Sequence, residues 1–332
     1  MSALLSVRDL RKHFPVRTGL LRRETARVHA VDGVSLDVEP GETLGLVGES
    51  GCGKSTLGRT LVRLYEPTSG SIQYRGEDFL ALRGERLRSM RRRVQMIFQD
   101  PFASLDPRMT VGQILSEPFK VHDACPPRER LERARALLET VGLNAAYLNR
   151  YPHEFSGGQR QRISIARAMA LKPELVVADE PVSALDVSIQ AQILNLLKDL
   201  QQEFRLTYIF ISHDLAVIDH FCDRVAVMYL GRIIEVAPKD ELFRNPRHPY
   251  TQALIEAVPR VGAGKKQMQP ALRGEVPSPI DPPAGCHFHP RCPKRHDGCD
   301  REYPGLVEVG PGHRVACRLH GADAIPGAGI QP

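Results

Sequence analysis

Short, uninterrupted apolar runs recur along the chain, each closed by turn residues or a polar side chain, and longer amphipathic stretches separate them. The runs "TLGLVG" (43–48), "RVQMIFQD" (93–100), "ELVVADE" (174–180) and "TYIFISH" (207–213) predict buried strands of a largely parallel sheet. Between the last two, Ile189, Ile193, Leu196, Leu197, Leu200 and Phe204 fall on one helical face, with Ser188 as the expected cap. Strand, helix, strand is a crossover unit, so the pattern predicts an α/β fold. Upstream, "VSLDV" (34–38) alternates apolar and polar as a half-exposed antiparallel strand does, and "GSIQYRGEDF" (70–79) does so more loosely. The span from about residue 110 to 150 differs: "RERLERARALLETVGL" is helical, and the rest is punctuated by Gly, Pro and charge, which predicts a helical insertion. After Val258 the chain turns to Pro, Gly and Lys, predicting a linker over 259–285.

Composition sets outer bounds. With 332 residues, 42% hydrophobic and 25% charged, the chain can bury one large core with something appended. No apolar run is long enough to span a bilayer, and the opening "MSALLSVRDLRKHF" has no secretion-signal pattern, so a cytosolic location is expected. The net charge of +6 decides little between nucleic acid, an anionic membrane surface and a phosphorylated ligand. Arginines crowd 83–95 without interleaved aromatics, and the chain has no Trp. That pattern reads as a solvated helix face, and no nucleic-acid partner is expected.

The sharpest chemistry lies at "GESGCGKST", where Gly48-x-x-x-x-Gly53-Lys54-Ser55 follows a predicted strand and opens a helix. In that context the glycines let backbone N–H groups wrap a β-phosphate, Lys54 reaches the β- and γ-phosphates, and the Ser55 hydroxyl can ligate Mg²⁺. Asp179, ending "LVVAD", is placed to hold the same Mg²⁺. Glu180 follows, and in an extended segment its side chain points the other way, free to polarise a water. Gln99 and His213 are polar tips on two other apolar runs, at the sheet edge where ligands bind. A second stretch, "FSGGQRQRIS" (155–164), also opens a helix on Ser and Gly and offers unpaired N–H groups to an anion.

Taken in order, the phosphate loop, Gln99, "SGGQ", "LVVADE", "SALD" (183–186) and His213 resemble an ATP-binding cassette (ABC) ATPase over nearly the whole chain. The resemblance implies a RecA-like parallel core, an antiparallel β subdomain and an inserted helical subdomain at about 100–165, together spanning 1–258. It implies that the chain's own ATP is held by Phe14, stacked on adenine, by Gly48, Glu49, Ser50, Gly51, Cys52, Gly53, Lys54, Ser55 and Thr56, and by Gln99 and Asp179. Mg²⁺ then takes Ser55, Gln99 and Asp179, and Glu180, His213 and Lys54 are catalytic. Two cassettes pair head to tail, so that Ser156, Gly157, Gly158 and Gln159 close over the partner's ATP. Position 155 is Phe where the family usually has Leu, from which only a packing change is expected. Between Phe14 and the next strand, "PVRTGLLRRETARVHA" (15–30) reads as a long basic loop.

"QDPFASLDPRMTVGQIL" and "NPRHPYTQALIEAVP" narrow the resemblance to bacterial peptide and nickel importer ATPases, nearest to dipeptide and oligopeptide permease subunits. Expected partners are therefore a second, non-identical cassette, two integral membrane permease subunits and an extracytoplasmic substrate-binding protein, at the cytoplasmic face of the inner membrane. The competing classes are a soluble cassette ATPase acting on DNA or ribosomes, for which one cassette without sustained heptads is poorly suited, and a non-hydrolysing regulator, against which Glu180 and His213 speak.

Four of the seven cysteines, Cys286, Cys292, Cys299 and Cys317, lie in the final segment, 286–332. Cytosolic disulfides are not expected. The gaps are wider than the usual zinc pairs, whereas an iron–sulfur cluster tolerates varied spacing. Resemblance to the tails of oligopeptide-importer ATPases implies a [4Fe–4S] cluster. Zinc, with His287, His289, His296 or His313 as substitute ligands, stays open, as does no metal. Cys125 and Cys222 read as core or loop thiols.

Overall fold

The computed structural model describes residues 3–19, 23–257 and 274–320. The expected linker lies outside the described residues up to 273, as does the end of the cysteine segment from 321. Twelve strands occur among the described residues. In chain order they are β1 (Leu5–Thr18), β2 (Arg23–Val38), β3 (Thr43–Val47), β4 (Ser69–Tyr74), β5 (Glu77–Asp78) and β6 (Val94–Ile97). There follow β7 (Leu175–Asp179), β8 (Thr207–Ile211), β9 (Arg224–Tyr229), β10 (Arg232–Pro238), β11 (Val307–Gly310) and β12 (His313–Val315).

Eight of them form the central sheet, in the order β11-β12-β10-β9-β3-β8-β7-β6. The stretch from β9 to β6 is parallel, and β10, β12 and β11 extend it antiparallel. The parallel strands read as continuous apolar runs because both faces are covered. Leu44, Leu46, Val177, Ile209 and Ile211 enter one core beneath the second sheet, whose order is β2-β1-β4-β5. Val47, Val176, Ala178, Tyr208 and Phe210 enter the other, against the helices. Alternate side chains of each strand thus stabilise two different layers.

The helices are α1 (Lys54–Leu61), α2 (Gly84–Arg93), α3 (Pro101–Ser104), α4 (Val111–Val121), α5 (Arg130–Thr140), α6 (Gly157–Met169), α7 (Val187–Phe204), α8 (Leu215–Phe221), α9 (Lys239–Arg244) and α10 (Pro249–Glu256). α2 buries only Met90, which makes the arginine cluster a solvated face. α4 and α5 carry the insertion and share the helix-side core through Ile114, Leu115, Ala134 and Leu138. Phe155 is buried edge-on against Tyr147, so the Phe at this position is absorbed by packing.

Three local expectations need correction. α7 is capped by Asp186, whose Oδ1 accepts from Ile189 N at 3.0 Å and from the Ser188 hydroxyl at 2.7 Å; a carboxylate two residues earlier displaces Ser188 from the cap. The expected basic loop 15–30 is strand for most of its length, with Pro15, Val16, Arg17 and Thr18 of β1 opposite Arg27, Ala26, Glu24 and Arg23 of β2. Finally, the cysteine segment does not stand apart beyond its linker. β12 pairs with β10, β11 pairs with β12, and Phe288 sits in the helix-side core.

Candidate functional site

The phosphate loop spans the six residues between β3 and α1. Gly53 has φ 105°, and a Cβ there would lie 2.0 Å from the Ala30 carbonyl oxygen; at Gly48 the corresponding distance to Met228 O is 2.1 Å. Both positions exclude any side chain. Ser50 and Gly51 lie exposed at the loop tip, and the buried Cys52 carbonyl accepts from Gly231 N at 2.9 Å, which ties the loop to the turn after β9. Lys54, only 5% exposed, curls back so that Nζ donates to Gly48 O at 2.8 Å and Glu49 O at 3.0 Å. The Thr56 carbonyl accepts from the Thr60 hydroxyl within α1.

Beside the loop, the Ser55 hydroxyl donates to Asp179 Oδ1 at 2.7 Å. Asp179 is fully buried, and its Oδ2 has no hydrogen-bond partner, with Arg59 Nη2 at 3.8 Å. Burial pushes this carboxyl above its ordinary range against the opposing pull of Ser55 and Arg59. A buried carboxylate oxygen without a donor, adjoining a hydroxyl, is a donor set that fits Mg²⁺ or the water it carries.

Glu180 leaves β7 in the left-handed region, at φ 46°, and not in the extended conformation expected from the sequence. Its N–H still bonds Ile211 O at 3.0 Å, so the strained residue is anchored to β8. Its Oε2 accepts from Gln99 Nε2 at 2.9 Å and lies 3.2 Å from His213 Nδ1. Two polar tips, following β6 and β8, therefore converge on one carboxylate oxygen of the residue that follows β7.

Phe14, half-buried on β1, meets the Tyr65 ring edge-on at 5.5 Å, with Lys12 Nζ 4.9 Å from its centroid. Tyr65 and Lys12 give no sequence signal of belonging there. Ser156 caps α6 by accepting from Gln159 N at 3.4 Å, while the Gln159 side chain accepts from Ser156 N at 3.0 Å. Gly158 is required by this chain's own packing, since a Cβ would lie 2.5 Å from Ile189 Cγ2. At Gly157 a Cβ would meet Leu185 Cδ2 at 3.5 Å, so nothing among the described residues demands a glycine. Gly157 lines an open cleft with Gln99, Phe102 and Leu185.

Cys286, Cys292, Cys299 and Cys317 all line one small cavity, together with His248, His289 and His296. His287 and His313 turn elsewhere: His287 Nδ1 lies 3.1 Å from Leu230 O and His313 Nε2 lies 2.7 Å from Glu235 Oε1. His289 and His296 also have one ring nitrogen near a partner, His289 Nδ1 lying 3.0 Å from Cys286 O and His296 Nδ1 3.0 Å from Asp297 O. Burial pushes the Cys286 thiol up to about 11 and Cys317 to about 12, and lowers the His248 imidazole to about 4. Among the described residues no three ligand atoms of this group lie within 4.8 Å of one another. Thiolates sharing one tetrahedral zinc stand roughly 3.8 Å apart, from Zn–S bonds of about 2.3 Å. The four thiols lining this cavity are the donors that either a cluster or a zinc ion would take. Cys125 and Cys222 are buried in the core, away from this cavity.

Sequence reasoning missed a group that fastens Glu49. The Tyr250 hydroxyl of α10 accepts from Glu49 N at 2.8 Å, and Arg291 pairs with the Glu49 carboxylate. The stretch "NPRHPYT" signalled relatedness without revealing this contact.

Comparison with known proteins agrees with this architecture. The family model described as "ABC transporter" matches residues 31–183, and that described as "Oligopeptide/dipeptide transporter, C-terminal region" matches 234–299. The chain is 56% identical over 320 residues to the oligopeptide transport ATP-binding protein AppF of Bacillus subtilis (strain 168), covering 96% of this chain and 97% of that one. It is 51% identical over 323 residues to the dipeptide transport ATP-binding protein DppF of Escherichia coli (strain K12), covering 97% and 96%. Among solved structures, the dimeric post-hydrolysis state of the ATP-binding cassette MJ0796 bound to ADP and Pi superposes with a TM-score of 0.62 at 28% identity, covering 71% of this chain and 98% of that one. The chain is an ABC ATPase, and it belongs to the oligopeptide and dipeptide transport ATP-binding proteins of the ABC transporter family.

Proposed function

We propose that this chain hydrolyses ATP at the cytoplasmic face of the bacterial membrane to energise uptake of di- or oligopeptides. The convergence of Gln99 and His213 on Glu180, beside Ser55 and Asp179, carries this reading. Lys54 and the loop N–H groups bind the β- and γ-phosphates, and Phe14 stacks on the adenine. Glu180 orients and polarises the attacking water, Gln99 holds the carboxylate toward the phosphate, and His213 contacts the developing charge. Ser55, Asp179 and Gln99 would hold Mg²⁺, which would supply positive charge to offset the phosphates.

In this reading Ser156, Gly157, Gly158 and Gln159 serve the ATP of a second cassette. Support comes from Gly157, whose missing side chain leaves room for a ligand that this chain's own packing does not require. One ligand bridging two chains makes their pairing depend on ATP. The second cassette is non-identical, two permease subunits form the channel, and a binding protein delivers the peptide. Residues 1–258 make up the cassette, with the helical subdomain at about 100–165, and 286–332 the C-terminal segment whose four cysteines would hold a metal centre. A [4Fe–4S] cluster on Cys286, Cys292, Cys299 and Cys317 would supply binding free energy that orders the segment; zinc is the alternative occupant.

Reconstitution tests the assignment. Vesicles holding the permease subunits, both cassettes and the binding protein are expected to accumulate labelled peptide only with internal or external ATP on the cassette side, and none with the Glu180→Gln chain. Accumulation of Ni²⁺ in place of peptide, or peptide uptake undiminished without this chain, would overturn it.

A further inference from the structure

Arg291 lies in the turn between Cys286 and Cys292, yet its guanidinium leaves the cysteine segment and reaches the phosphate loop. Nη1 donates to Glu49 Oε2 at 2.7 Å and Nη2 to Glu49 Oε1 at 3.1 Å, a two-pronged pair spanning 242 positions of sequence. Nη1 also donates to the Tyr229 hydroxyl at 3.3 Å. The pair is sheltered, with side-chain exposures of 5% for Arg291 and 25% for Glu49. From the other side, Tyr250 takes the Glu49 N–H. The Tyr229, Tyr250 and Phe288 rings pack together, with centroids 4.7–5.4 Å apart, and bridge the two holds. Backbone and side chain of one loop residue are thus gripped by α10 and by the cysteine segment respectively.

Electrostatics gives this grip a purpose. Glu49 is a carboxylate inside a loop that must attract a polyanion, and an unpaired negative charge there repels the incoming phosphates. A planar guanidinium bonded to both oxygens cancels the charge and fixes its direction, which a more loosely placed cation does less well. We propose that Arg291 is a positioning residue for the phosphate loop, so that the four-cysteine segment acts within its own chain as an activator of nucleotide binding. Order in the turn from Cys286 to Cys292 reaches Glu49 through Arg291, and disorder there releases the carboxylate into the phosphate site. The inference rests on the loop binding ATP, as the family assignment requires, and on no particular metal.

Titration of the purified full chain with a fluorescent ATP analogue, alongside KM and kcat for ATP, tests it. Arg291→Ala is expected to weaken ATP binding and raise KM by roughly tenfold, as for one uncompensated charge near a polyanion at a partly screened site, with kcat at saturation far less affected. Glu49→Gln in the Arg291→Ala background is expected to restore affinity to within about threefold of wild type, because the offending charge is gone. A merely structural Arg291 would leave the double variant as weak as the single one, and that result overturns the proposal. Should Arg291→Ala not fold, Glu49→Gln alone decides. It removes one negative charge from the loop while Arg291 keeps its contact with the Tyr229 hydroxyl, and is expected to tighten ATP by a few-fold. Binding no tighter than wild type overturns the inference. Wild-type chain that binds no ATP would instead sink the phosphate-loop reading itself.

Discussion

Nδ1 of His213 stands 3.2 Å from Oε2 of Glu180, the same oxygen that accepts from Gln99 Nε2 at 2.9 Å. Two polar groups from neighbouring strand ends hold one carboxylate oxygen and leave the other free for a water. Glu180→Gln keeps the shape and loses the charge. It is expected to bind MgATP within about threefold of wild type and to turn over about 10²- to 10³-fold more slowly, the usual range for removing a positioned general base. Size-exclusion chromatography with the cognate cassette and ATP is expected to show a persistent dimer; unchanged turnover would remove Glu180 from the chemistry.

A different signature is expected at the start of α6, where the two glycines separate by cause. Gly158→Ala forces a Cβ to 2.5 Å from Ile189 Cγ2 and is expected to lower thermal stability by about 1–3 kcal/mol through overpacking. Gly157→Ala meets only Leu185 at 3.5 Å and is expected to unfold like wild type. Ser156→Arg is expected to leave ATP affinity of the isolated chain intact, while hydrolysis in the assembled pair falls by about two to three powers of ten as a preorganised donor set is lost. Weakened ATP binding by the lone variant would refute the shared site.

Much of this was legible in the sequence because the parallel strands are covered on both faces, so that Val176 and Val177 are both apolar although they serve different cores. Gln99, Asp179, Glu180 and His213 were legible as strand ends. What escaped was set by competition or by distance. Asp186 and Ser188 are both good caps, and only the three-dimensional turn chooses between them. The left-handed Glu180 gives no local signal, since its neighbours read as strand. β11 and β12 are too short to show a period, and their pairing partner β10 lies far away in sequence. Nothing near Arg291 points to Glu49.

Glu235 supplies a stability prediction with a definite sign. It is fully buried on β10, yet accepts from Arg247 N at 2.7 Å and His248 N at 3.0 Å and lies 2.7 Å from His313 Nε2 on β12. Burial opposes the charge, but the His313 contact and the backbone N–H groups outweigh it and hold the carboxyl below its ordinary value of 4.5. A depressed carboxyl contributes stability that is present above the unfolded value and is lost as pH falls through the lower folded one. Unfolding midpoints are therefore expected to drop on acidification below about pH 4.5, and less steeply in Glu235→Ala. At pH 7 that variant is expected to cost about 3–5 kcal/mol, the penalty for opening a buried, fully bonded charge. A flat pH response in wild type across this window would refute the assignment.

The cysteine cavity provides the last prediction, and the fold alters what the sequence alone implied about it. Read as a tail beyond a linker, the segment would tolerate Cys292→Ser with ATP hydrolysis intact and only assembly impaired. With Phe288 in the core and Arg291 on Glu49, order in this turn instead bears on the phosphate loop. Protein purified without oxygen is expected to be brown, with iron and acid-labile sulfide in near-equal amounts, and serine at Cys286, Cys292, Cys299 or Cys317 is expected to bleach it. Cys292→Ser is further expected to raise KM for ATP in the same direction as Arg291→Ala while the chain stays folded by circular dichroism, because lost metal binding frees the turn that carries the guanidinium. Colourless protein with one tightly held zinc would replace the cluster by zinc and leave the KM shift standing. Metal-free protein whose segment resists protease would show that packing of Phe288 and pairing of β12 with β10 order it unaided, and the ligand role of the four thiols would fall.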